Sequence, residues 1–236
     1  LWAGKVISCE EGQALRLRLV SPDGEEHYPG ALSVTMTYTL TDRNELVLHY
    51  EAASDADTVC NLTNHAYFNL AGHNSGTILG QQLKIYADHF TEADAESIPT
   101  GRVLPVEGTP MDFRDYHRVG ERIDADYLPL NYGGGYDHNW VIGTGYGVPH
   151  KVLTATGDQS GISMDLSTDY PGIQLYTANY LEHVAGKQGH VYEARDAVCF
   201  EPQYFPDAIH HPNFPSPVVK AGETYKKQII YHFYTD

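Results

Sequence analysis

The sequence is short of cysteine, of positive charge and of helical periodicity, and each shortage excludes a class of protein. Cys9, Cys60 and Cys199 are odd in number and widely spaced, which gives neither a disulfide framework nor a zinc-binding pattern and suits a reducing cytoplasm. Lysine and arginine together number 15 against 31 acidic residues, for a formal net charge of −16. A field of that sign repels polyanions, so nucleic acid and acidic lipid are not expected as partners and a neutral small molecule is. No apolar run approaches the roughly 20 residues that a membrane-spanning helix needs, and Leu1-Trp2-Ala3-Gly4-Lys5 does not read as a signal peptide. The glycosylation sequon Asn61-Leu62-Thr63 therefore reads as coincidence.

What is abundant is short β texture. Apolar and polar residues alternate in 15–19, 32–40 and 45–51, and the same pattern returns at 83–86, 139–142, 151–156, 162–167, 172–180, 198–202 and 225–233. With 18 tyrosines, 22 glycines and no strand–helix alternation, an all-β fold follows, a large sandwich of packed antiparallel sheets with few short helices. At 236 residues, with no repeat or linker, the chain is expected to form a single domain, 1–236. The best helix candidate is 115–123, where Arg114, Arg118 and Arg122 fall four apart. Long irregular stretches are expected at 90–114 and 127–138, the kind of loop that covers or forms a site.

Two separated residues suggest chemistry. His65 lies inside the aromatic run Asn64-His65-Ala66-Tyr67-Phe68-Asn69-Leu70, and Glu201 lies in Cys199-Phe200-Glu201-Pro202-Gln203. An imidazole and a carboxylate on facing strands can give and take a proton on one substrate; the free groups titrate at roughly 6.5 and roughly 4.3. An inward carboxylate between Phe200 and Pro202 is costly to desolvate unless partnered, and such groups cluster at functional sites, whereas an outward edge position is the bland alternative. Taken alone, His65 also reads as a hydrogen-bonded structural histidine, Asp137 as a loop polar residue and Gln174 as a strand surface residue. His210-His211 with His138 or His150 invites a metal, but adjacent histidines on a strand point to opposite faces and no cysteine or carboxylate sits at a ligand interval, so no metal is expected. Cys60 and Cys199 read as small apolar fillers, and no Gly-x-Ser-x-Gly elbow supports a serine nucleophile.

Several segments, in order, are similar to those of the aldose 1-epimerases, or galactose mutarotases. They are 61–70, Ile98-Pro99-Thr100-Gly101 with Thr109-Pro110-Met111-Asp112-Phe113-Arg114, Tyr136-Asp137-His138-Asn139-Trp140, Gly172-Ile173-Gln174-Leu175-Tyr176-Thr177, and a C-terminal run from Glu201-Pro202-Gln203 to Phe214-Pro215-Ser216. The resemblance spans nearly the whole chain. It implies a mutarotase-type β-sandwich, no cofactor and no metal, with His65 as acid, Glu201 as base, and Asp137, Gln174, Tyr176 and Asn64 on the sugar. The implied reaction interconverts the α and β anomers of a free hexose, galactose or glucose. Two departures accompany it. Family members carry an earlier stretch with a substrate-binding arginine and a second histidine, and this chain begins after both, so it is expected to be truncated, to be completed by another polypeptide, or to be altered in activity. Phe-Glu-Pro-Gln also stands where Leu-Glu-Thr-Gln is commoner, which removes the amide at position 202. Two alternatives stay open: a non-catalytic sugar-binding or regulatory module on the same fold, and a mutarotase for a phosphorylated hexose anchored by Lys187 or Arg195.

Overall fold

The computed structural model describes residues 1–9, 12–143 and 147–235. Two antiparallel sheets dominate it. The nine-stranded sheet runs from edge to edge as Ala3–Cys9, Gly12–Ser21, Leu32–Thr41, Glu45–Ser54, Thr224–Thr235, Ile162–Thr168, His150–Thr156, Gln82–Ile85 and His117–Arg118. The six-stranded sheet runs as Tyr67–Phe68, Val198–Gln203, Gly172–Tyr176, Asp137–Val141, His89–Ala93 and Pro99–Pro105. Every strand pairing is antiparallel, as the alternating texture predicts for sheets with one buried face.

Alternation decides what enters the core. Along Glu45–Ser54, Leu48, Tyr50 and Ala52 are buried, while His49 and Glu51 on the other face are not. From the second sheet come Phe200, Leu175, Ile173 and Trp140. The layers meet where Phe68 packs on Tyr231, ring centroids 5.1 Å apart, and the Tyr231 hydroxyl donates to the Phe200 carbonyl. The predicted strand 15–19 forms, but Leu15 stays 40% exposed because it lies in the hairpin at the sheet edge.

The expected helix at 115–123 does not form. His117–Arg118 joins the large sheet beside Gln82 and Leu83, and only one 3-10 turn follows at Val119–Glu121. The backbone donors of Val119 and Gly120 are taken by the carbonyls of Gln81 and Leu79, and Arg114 and Arg122 turn toward Asp112 instead of sharing a helical face. The one α-helix among the described residues, Leu128–Gly133, lies inside a stretch expected to be irregular, with Pro129 in its first turn and Gly134 in the left-handed conformation closing it. The other irregular stretch holds the strands His89–Ala93 and Pro99–Pro105, whose prolines are tolerated at the ends of an edge strand. Among the described residues, no helix is long and apolar enough to cross a membrane.

Candidate active site

The outer face of the six-stranded sheet collects polar groups by strand parity. Glu201 pairs with Gln174 and Gln174 with Asn139, so the three stand in one row across the sheet. One step along the strands, Tyr67, Cys199, Tyr176 and Asp137 form a parallel row on the same face. The pairing of Tyr67 with Cys199 extrapolates to His65 opposite Glu201, which extends the first row by one member. The intervening residues Val198, Phe200, Leu175 and Ile173 point the other way into the core.

The His65 segment reaches this position without a ladder, since regular pairing begins only at Tyr67. Side chains bond the neighbouring backbone instead. Asn61 receives the Tyr204 amide at 2.8 Å and donates to the Tyr204 carbonyl at 3.0 Å, and the Thr63 hydroxyl donates to the Pro202 carbonyl at 2.7 Å. Because the N–H and C=O of a strand residue point to the same side, the amide that Pro202 lacks would have faced this ladder-free segment. Proline is tolerated there for that reason. Asn61, the sequon residue, is thus held by the strand beside it.

His65 Nε2 stands 3.5 Å from Glu201 Oε1. The two differ sharply in exposure: the His65 side chain is 51% exposed and that of Glu201 only 9%. Burial pushes the Glu201 carboxyl up to about 7; His65 opposes that shift and the Asp137 carboxylate adds to it. Asp137 is also raised by burial, against a hydrogen bond of 2.8 Å from Gln174 Nε2. Tyr67 and Tyr176 flank His65 with ring centroids at 5.1 and 6.1 Å, so aromatic surface borders the carboxylates. Beyond Tyr67 the groove opens into a cavity of about 670 Å³ lined by Phe68, His73, Leu181, Lys187 and Tyr192 among others.

Five of the six residues singled out in the sequence converge: His65, Glu201, Asp137, Gln174 and Tyr176. Asn64 does not join them. Its side chain interacts with the Tyr38 hydroxyl of the large sheet. Asn139 was missed, although its place two residues after Asp137 on one strand was the available signal. It is 2% exposed, and its Oδ1 and Gln174 Oε1 are buried acceptors without a protein partner among the described residues. Gly172 leaves room for it, since a Cβ there would meet Asn139 Oδ1 at 2.3 Å and the Phe205 ring at 2.8 Å. His138 is a core residue whose Nδ1 accepts the Asp137 amide at 3.0 Å, and burial lowers its pKa to about 4. Arg195 is committed to Thr177, Asn179 and the Gly134 carbonyl, so it is not poised as a phosphate anchor. His210 and His211 share a 3-10 turn region and both approach Asp207, at 2.5 and 3.3 Å, instead of alternating on a strand.

The sequence matches the family model for aldose 1-epimerase over residues 2–232. The chain belongs to the aldose 1-epimerase family. Human galactose mutarotase is 38% identical over 234 residues, covering 99% of this chain and 65% of the relative. An aldose 1-epimerase of Haemophilus influenzae is 33% identical over 221 residues, covering 91% of this chain and 63% of the relative. Among solved structures, a galactose 1-epimerase from Lactobacillus acidophilus superposes with a TM-score of 0.86 at 25% identity, over 99% of this chain and 66% of that one. An aldose epimerase homologue from C. elegans superposes with a TM-score of 0.84 at 28% identity, over 98% of this chain and 68% of that one. The chain thus spans about two thirds of the length of the epimerases it matches, and its sandwich is the epimerase fold.

Proposed function

We propose that the chain is an aldose 1-epimerase that interconverts the anomers of a free hexose, galactose or glucose, with Glu201 as base and His65 as acid. The observation that carries this reading is the 3.5 Å approach of His65 Nε2 to Glu201 Oε1 on the groove side of the sheet. The anomeric hydroxyl and the ring oxygen sit on one carbon, so two groups this close reach both. Glu201 takes the proton from the anomeric hydroxyl; the C–O bond to the ring oxygen breaks as that oxygen receives a proton from neutral His65, leaving a free aldehyde. Rotation of the carbonyl carbon and the reverse transfers close the other anomer. A carboxyl raised to about 7 is matched to proton removal near neutral pH, where each such transfer is worth about 10²- to 10⁴-fold in rate.

Asp137, Gln174 and Asn139 supply acceptors for sugar hydroxyls, and Tyr176 and Tyr67 supply apolar surface for the pyranose face. The contiguous core drawn from both sheets supports reading 1–236 as one domain, and three free cysteines accord with a reducing compartment such as the cytoplasm. Engagement of Arg195 elsewhere leaves Lys187, which lines the adjoining cavity, as the remaining candidate anchor for a phosphorylated hexose.

The test is polarimetry on freshly dissolved α-galactose and α-glucose, with the chain and with the complete product of its gene. Acceleration over buffer that Glu201→Gln removes supports the reading. Sugar binding by calorimetry with no acceleration from either protein would leave a binding module in its place.

A further inference from the structure

We propose that His65, Cys199 and Glu201 form a site for a thiophilic divalent cation such as Zn²⁺, and that the occupied site excludes the sugar. Their ligand atoms, one imidazole nitrogen, one sulfur and one carboxylate oxygen, all lie within 4.8 Å of one another. No other trio of His, Cys, Asp or Glu meets that condition among the described residues. Tetrahedral zinc with bonds of about 2.0–2.3 Å needs ligand atoms roughly 3.3–3.8 Å apart. The nitrogen–oxygen pair is already at 3.5 Å, and the sulfur lies within 4.8 Å of both.

The donor set suits that cation class. Sulfur and imidazole select Zn²⁺ and other thiophilic metals over Mg²⁺ or Ca²⁺, and three protein ligands leave a fourth position open toward the groove. Burial and the nearby Glu201 and Asp137 carboxylates hold the Cys199 thiol well above its ordinary range, so the metal has to displace the thiol proton against that preference. On binding, the Cys199 S–H bond breaks and an S–metal bond forms, the proton passing to buffer; no electron is transferred. The spacing of the sequence hides this site, since Cys199 and Glu201 are two apart on one strand while His65 arrives on the segment beside it. Metal binding itself stands on geometry alone, whereas its inhibitory consequence rests on the proposed roles of His65 and Glu201.

The test titrates the purified chain with Co²⁺ and then Zn²⁺, followed by polarimetry with and without EDTA. The expected result is one Co²⁺ per chain with thiolate-to-metal charge-transfer absorption, displaced by Zn²⁺, and metal affinity at least about a hundredfold lower in both Cys199→Ser and Cys199→Ala. Each variant's fold is checked by circular dichroism, and the two substitutions differ in size and polarity, so a defect peculiar to one is recognised. No charge-transfer absorption, or absorption that survives in both variants and so comes from Cys9 or Cys60, overturns the site. Zn²⁺ inhibition that EDTA reverses and that the cysteine variants escape supports exclusion of the sugar. Metal binding without inhibition overturns exclusion and weighs against His65 and Glu201 as the proton pair, while leaving the metal site standing.

Discussion

The two faces of the six-stranded sheet are made by the same strands and differ only in residue parity. Toward the large sheet go Val198, Phe200, Ile173, Leu175 and Trp140, all at most 2% exposed. Toward the groove go Cys199, Glu201, Gln174, Tyr176, Asp137 and Asn139. The inner face stabilises the fold by dry packing. The outer face does the opposite, holding two carboxyls away from water with their pKa values raised and two amide oxygens without protein partners among the described residues. Polar groups kept at such a cost cluster at functional sites, which is the physical ground for assigning the proposed reaction to this face.

Substitutions on each face separate the two. The largest effect is expected for Glu201→Gln, which should slow anomer exchange by about 10²- to 10⁴-fold as read by polarimetry. The same change should raise stability. With its folded pKa near 7 and an unfolded value near 4.5, Glu201 favours the folded state below about 4.5, and that contribution is lost as pH rises through 7. Removing the charge should therefore recover roughly 1–3 kcal/mol above pH 7 and little at pH 4, measured by urea unfolding. Phe200→Ala on the inner face should reverse the pattern, destabilising by about 3–5 kcal/mol while folded molecules keep their turnover. An activity loss in Phe200→Ala larger than its unfolded fraction explains would break the division between faces.

His138 tests the seam between them, since it is buried on the core side yet accepts the amide of Asp137. His138→Leu leaves that N–H unsatisfied at a cost of about 1–3 kcal/mol, and loosening of Asp137 should raise KM more than it lowers kcat. Unchanged KM would detach His138 from the site. In the wild type, the folded pKa of about 4 lies below the ordinary 6.5, so the stability His138 contributes is present above 6.5 and lost as pH falls through 4.

The sandwich was legible in the sequence because period-2 alternation is a direct trace of a half-buried strand. Elements whose backbone bonds go to distant partners were not. The arginine spacing at 115–123 suggested a helix, but Val119 and Gly120 donate to Gln81 and Leu79. Within the site, the pairing of His65 with Glu201 rested on family resemblance, because register across 136 positions leaves no local mark. Asn64, next to His65 in the sequence, interacts instead with Tyr38 of the large sheet. The cluster of His65, Cys199 and Glu201 left no sequence mark, since Cys199 and Glu201 share one strand while His65 lies 134 and 136 positions earlier.

If His65 and Glu201 act as one acid–base pair on the groove face, as proposed, the pH dependence of kcat/KM for α-galactose carries their signature. The account expects catalysis to rise with pH through an apparent pKa near 7, the value burial gives Glu201, and that limb to vanish in Glu201→Gln. A rise centred near the ordinary carboxylate value, or an unchanged limb in Glu201→Gln, would contradict it.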